Sequence, residues 1–180
     1  MSVKKEVSGR RSVQADVEVP GSTQSAVERK SAEAQLGTLI DKFAPAHLRL
    51  IGAMRRSLRK RLPTAHEVVY EYLNLGAVVI SFSPNEHGYD GVLAIRATAD
   101  GAKLYFNQGK ELPDPEKLLH GASQTRWINV EGASTLARPA VARLIEEAIA
   151  HNRVPFARAG RGSVTIRSTS AKKDRGRRRA

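Results

Sequence analysis

Apolar residues recur at helical spacing in three stretches of the chain and at alternate positions in the segment between the second and third. Leu36, Leu39, Ile40 and Phe43 return at intervals of three and four, the spacing of one helix face. Ser25 followed three residues later by Glu28 has the pattern of a capping box, in which each side chain takes the other's backbone N–H, and it opens the first helix. Gly37 lies inside that helix and weakens it. A second helix begins at Pro45, whose missing N–H costs nothing at the first helical position. Leu48, Ile51, Met54 or Arg55, Leu58 and Leu62 form its apolar stripe, and Pro63 ends it. Arg49, Arg55, Arg56, Arg59, Lys60 and Arg61 crowd its other faces, mostly near the C-terminal end, where they oppose the negative pole of the macrodipole.

The period then changes to two. Val68, Tyr70 and Tyr72 alternate with Glu67 and Glu71, which predicts a strand whose glutamate side is wet. Ala77–Phe82 is almost continuously apolar and predicts a more central strand. A turn-rich connection, Ser83–Gly91, leads to a third strand over Val92–Thr98. The Asp100-Gly101 pair suits a tight hairpin into a fourth strand, Lys103–Asn107. Asp114 as N-cap, Pro115 at N1 and Gly121 as a stop predict a single-turn helix over Pro115–Leu119. Trp127–Val130 reads as a short strand. Pro139 opens a last helix with Val141, Leu144, Ile145, Ala148 and Ile149 inward, and Ser163–Ser168 alternates as an edge strand would.

This order predicts an α+β fold: an antiparallel sheet of about five to six strands, with N-terminal helices and a C-terminal helix packed on one face. The other face would then carry Tyr, Arg, Lys and Asn side chains as a binding surface or an ordinary solvated face. The expected organisation is a disordered N-terminal tail over 1–32, an α+β domain over 33–170 and a basic disordered tail over 171–180.

Charge changes this picture more than composition does. Of the net +12, residues 157–180 supply +8, with nine Lys/Arg against one Asp, whereas residues 38–156 carry only +3. Lys172, Lys173, Arg175, Arg177, Arg178 and Arg179 would attract nucleic acid or another polyanion through phosphate-type contacts, or merely solubilise the chain. Stacking of bases would require Tyr70, Tyr72 or Tyr105 on the sheet. The chain has no cysteine, which removes disulfides, thiol nucleophiles and cysteine-held metals and fits a reducing compartment. No apolar run reaches the ~20 residues of a membrane span, and no apolar stretch follows Lys4 and Lys5 as in a signal peptide; a cytoplasmic protein without membrane partners is expected.

The stretch from Leu104-Tyr-Phe-Asn-Gln-Gly109 through Leu112-Pro-Asp-Pro115 and Leu118-Leu-His-Gly121, followed by Arg126-Trp-Ile128, resembles the YdhG-like family of domains of unknown function. Arg55, Pro63, Glu67-Val-Val-Tyr70, Ser81-Phe-Ser-Pro84 and the helix from Pro139 to Ala148 resemble it as well, so the likeness covers roughly residues 38–172. Where relatives often carry Gly-x-Gly-Lys, this chain has Gly121-Ala-Ser-Gln124. The resemblance implies a small bacterial α+β fold, mostly without assigned activity; one branch has been proposed as a frataxin-like iron carrier.

Three kinds of site compete with ordinary structural roles for these residues. Asn107, Gly109, Asp114, Gly121 and Arg126 form the best ligand-binding candidate: helix N-terminal N–H groups near Asp114 would hold an anion, with Arg126 as countercharge, unless Asp114 merely caps and Gly121 merely stops a helix. Iron would need clustered carboxylates, for which Glu146-Glu147, Glu67/Glu71 and the loop of Glu86, His87 and Asp90 are candidates; solvated acids are the competing reading. The five histidines show no metal-site spacing, and no nucleophile elbow or phosphate loop occurs. The expectation is a non-catalytic binding protein for an anionic partner, needing no cofactor, with an iron carrier or an enzyme on a small substrate as alternatives.

Overall fold

The computed structural model describes residues 22–169. Three helices, α1 (Ala26–Ile40), α2 (Pro45–Arg61) and α3 (Pro139–Ala150), cover one face of a six-stranded sheet. The strands are β1 (His66–Tyr72), β2 (Ala77–Ser83), β3 (Leu93–Thr98), β4 (Gly101–Phe106), β5 (Arg126–Val130) and β6 (Val164–Thr169), in the spatial order β5-β4-β3-β2-β1-β6. The fold is α+β. The five strands β1 to β5 form an antiparallel meander.

The direction of one strand and the start of the domain differ from expectation. The sheet is mixed, because β6 pairs with β1 in parallel. After α3 the chain returns to the start of β1, where the Glu67 amide donates to the Ser163 carbonyl at 2.8 Å, and the two strands leave that point in the same direction. Alternation in Ser163–Ser168 marks a strand but carries no information about its direction. The expected boundary at residue 33 falls inside α1. The helix begins at Ala26 behind a complete capping box: the Glu28 amide donates to Ser25 Oγ at 3.2 Å and the Ser25 amide to Glu28 Oε2 at 2.8 Å. Gln24 reaches β6, donating to the Val164 carbonyl at 2.7 Å and accepting from its amide at 2.9 Å, which ties the helix start to the sheet edge. Residues 1–21 of the expected N-terminal tail and the whole of the expected C-terminal tail over 171–180 lie outside the described residues.

The core lies between sheet and helices. Ile51, Met54 and Leu58 of α2 are fully buried against Ile80, Ile95 and Leu104; burial of each such side chain contributes roughly 1.5–3 kcal/mol before entropy is counted. Val141, Leu144 and Ile145 of α3 complete the layer, as their spacing predicts.

The faces of β1 are the reverse of the expectation. Glu67, Val69 and Glu71 point to the helices, and Val68, Tyr70 and Tyr72 point away. Glu67 is 3% exposed. It accepts from Arg55 Nε at 2.8 Å and from Arg59, and both arginines also pair with Glu33 of α1. Alternation located the strand, but charge misassigned its wet side, because two α2 arginines carry the carboxylate into the interior.

Candidate functional site

Side chains alternate across a strand, so the pairing register fixes what the uncovered face carries. It presents Tyr70 and Tyr72 from β1, Val79 and Ser81 from β2, Ala94 and Arg96 from β3, Lys103 and Tyr105 from β4, Trp127 and Asn129 from β5, and Arg167 from β6. None of the outward strand positions is Asp or Glu.

Aromatic and cationic groups on this face touch each other. Tyr105 and Trp127 stack with ring centroids 5.7 Å apart and planes at 26°. Lys103 Nζ lies 5.5 Å from the Trp127 ring centre, and the Arg96 guanidinium 6.0 Å from that of Tyr105, whose hydroxyl accepts from Arg96 at 3.2 Å. Tyr70 and Tyr72 adjoin at 6.3 Å. Burial raises the Tyr70 phenol above its ordinary value, with the charge of Arg167 opposing the shift. Arg167 donates to the Glu86 carbonyl at 2.9 Å. Among the described residues, Arg96, Lys103 and Arg167 have no carboxylate partner, whereas Arg55 and Arg59 on the covered face are both ion-paired.

Two hollows open on this side. One, of about 240 Å³, lies between Tyr72 and Tyr105, floored by Val79 and Ala94 and edged by Leu75, Arg96 and Asn107. The other, about 490 Å³, follows the rim at the β3–β4 hairpin from Arg96, Lys103 and Tyr105 round to His47 and Leu50 of α2, with Asp100 and Glu131 on its border. The loop between β2 and β3 folds over the opposite end of the face, where Gly88 packs on Tyr70 and Val68.

Of the five residues expected to form one ligand site, the fold brings Asn107, Gly109 and Arg126 to the same end of β4 and β5 and places Asp114 in a separate crevice. Asn107 edges the smaller hollow and donates from Nδ2 to the Gly91 carbonyl. Gly109, at the start of a short 3₁₀ turn (Gly109–Glu111), packs on Arg126: a Cβ there would lie 2.5 Å from the Arg126 Cβ. Gly121, at φ 106°, packs on the six-membered ring of Trp127. Asp114 lies apart, lining a crevice of about 20 Å³ against α3.

The single-turn helix expected over Pro115–Leu119 does not form. Asp114 instead accepts from the amides of Leu118 at 2.9 Å and Leu119 at 2.8 Å, and Lys117 turns the chain with φ 54°. An aspartate can bond to nearby amides in a turn as readily as in a cap, so the same residues served a different structure. The anion site expected there loses its basis, because a carboxylate already occupies those two N–H groups.

The carboxylates that are candidates for iron ligands are engaged separately. Lys42 pairs with Glu71 at 2.9 Å, Arg61 with Glu146 at 3.5 Å and His151 with Glu147 at 3.3 Å, while Asn85 donates to Asp90 at 2.6 Å. Among the described residues no three His, Asp or Glu side chains gather as a metal site. The basic residues from Lys172 to Arg179 lie outside the described residues.

Fold and face together place the chain among α+β proteins with one helix-covered and one open, aromatic and cationic sheet surface. The chain matches no family model, no curated protein and no solved structure. Among the described residues, no helix is long and apolar enough to cross a membrane.

Proposed function

We propose that the chain is a bacterial, cytoplasmic YdhG-like domain that acts as a non-catalytic binding protein, holding a polyanion on the open sheet face with the basic C-terminal stretch as a second contact. One observation carries this reading: Arg96, Lys103 and Arg167 share a surface whose outward strand positions include no carboxylate. A charge left unpaired on a folded surface attracts a counter-charge from solution, and several on one face attract a multivalent one. The stretch 171–180, with six basic residues against one acid, adds to the same field.

The test is equilibrium binding of the full chain to inorganic polyphosphate and to bulk nucleic acid over a range of salt. Affinity should fall steeply as salt rises, because each phosphate neutralised releases counterions. Deleting 171–180 should lower both affinity and salt dependence. Absence of binding to either polyanion at low salt would refute the reading.

A further inference from the structure

The hollow between Tyr72 and Tyr105 has the shape and chemistry of a seat for a planar ring. The two tyrosines stand on β1 and β4, three strand spacings apart across the sheet and on opposite sides of the row of Val79 and Arg96 along it, so their Cα atoms are on the order of 20 Å apart and their side chains reach in from the two ends of the hollow. Between them Val79 and Ala94 form an apolar floor. The polar groups at its edge are of both kinds: Arg96 offers N–H donors, and Asn107, whose Nδ2 is committed to the Gly91 carbonyl, offers its Oδ1 as an acceptor. An apolar floor, flanking rings and mixed donors and acceptors at the edge match a nucleobase, which has apolar faces and a polar perimeter.

The cations extend beyond the hollow on both sides. Arg167 on β6 and Lys103 on β4 are four strand spacings apart, on the order of 19 Å. One mononucleotide does not bridge that span, but a strand of several nucleotides does. A duplex would present its phosphates to the same cations yet keep its base faces within its own stack. We infer that the open face binds single-stranded nucleic acid, one base resting between Tyr72 and Tyr105 and the flanking phosphates meeting Lys103 and Arg167. Trp127 supports rather than receives the base, since Tyr105 and Gly121 already pack on its ring. The inference rests on the polyanion reading and deepens it by naming the ligand class.

The full chain would be titrated with a fluorescently labelled short oligothymidylate, an abasic strand of the same length, a duplex, free thymidine monophosphate and polyphosphate. Trp127 is the single tryptophan of the chain, and its emission reports on the Tyr105 side of the seat. The base-bearing strand should bind about tenfold more tightly than the abasic one, the range for a single stacked base, and should change Trp127 emission. Tyr72→Ala should remove that tenfold difference, while Tyr72→Phe, which keeps the ring, should preserve it. The comparison of ligands on the unaltered chain does not depend on either variant folding. Equal binding of base-bearing strand, abasic strand and polyphosphate would overturn the base seat and leave the polyanion reading standing. Duplex or free monophosphate binding as tightly as the single strand would also overturn it. Binding of none of them would remove both readings.

Discussion

The Glu67 carboxylate and the Arg55 guanidinium meet at 2.8 Å beneath the helices, with Glu67 only 3% exposed. Arg59 takes the other oxygen, and Glu33 of α1 completes a four-membered cluster that joins both N-terminal helices to β1. Removing one partner of a buried pair leaves an uncompensated charge, whereas replacing the pair with apolar groups does not. Arg55→Met should therefore cost about 3 kcal/mol in urea unfolding, and Arg55→Met combined with Glu67→Leu should recover much of that loss. A single variant within about 0.5 kcal/mol of the parent would show that the cluster does not anchor the helices.

Gly121 offers a second test, this time of the turn that supports the open face. At φ 106° an L side chain is strained, and a Cβ would collide with the Trp127 ring. Gly121→Ala should destabilise the protein by about 1–3 kcal/mol and shift Trp127 emission, since the ring must move. Unchanged emission and stability would mean that the turn adapts without disturbing β5.

The sequence made helices and strands legible where one signal sufficed. The α2 stripe of Ile51, Met54 and Leu58 and the α3 stripe of Val141, Leu144 and Ile145 are buried as their spacing predicts. Signals that depend on distant partners misled. Glu67 reads as wet because nothing local announces that Arg55 and Arg59 will reach it from another element. The direction of β6 depends on where α3 returns the chain. Asp114, Pro115 and Gly121 fit a capped and stopped helix, yet the aspartate closes a turn onto Leu118 and Leu119. Tyr70, Tyr72 and Tyr105 were legible as possible stacking residues, and all three lie on the open face; the absence of carboxylates beside them emerges only once the register is known.

Acid should weaken the fold in two separate windows. Burial is the main influence that lowers the His66 pKa below its usual 6.5; the charge of Arg29 adds to the shift and Glu86 opposes it. The Ser163 amide donates to His66 Nδ1 at 3.2 Å, which a protonated Nδ1 could not accept. Below pH 6.5 the unfolded chain takes up a proton that the folded one resists, so stability present above 6.5 is lost as pH falls, with a slope of at most about 1.4 kcal/mol per pH unit. Glu33 acts lower: burial opposes its ionisation, but hydrogen bonds from Arg55 and Arg59 outweigh this and hold its pKa below 4.5, so its contribution is lost only beneath that value. Thermal or urea unfolding from pH 7 to 5 should show the first loss, and His66→Gln should flatten it. A parent curve already flat across that range would mean that the ring titrates alike in both states.

The role of the open face as a polyanion surface is tested most directly by the salt dependence of single-strand binding in the full chain with Arg96, Lys103 and Arg167 all changed to Gln. Each phosphate contact on a single strand contributes about 0.7 to the slope of log affinity against log salt, so losing the two phosphate contacts of Lys103 and Arg167 should shrink the slope by about 1.4 while the fold is retained. A slope equal to that of the parent would place the contacts elsewhere and contradict the account.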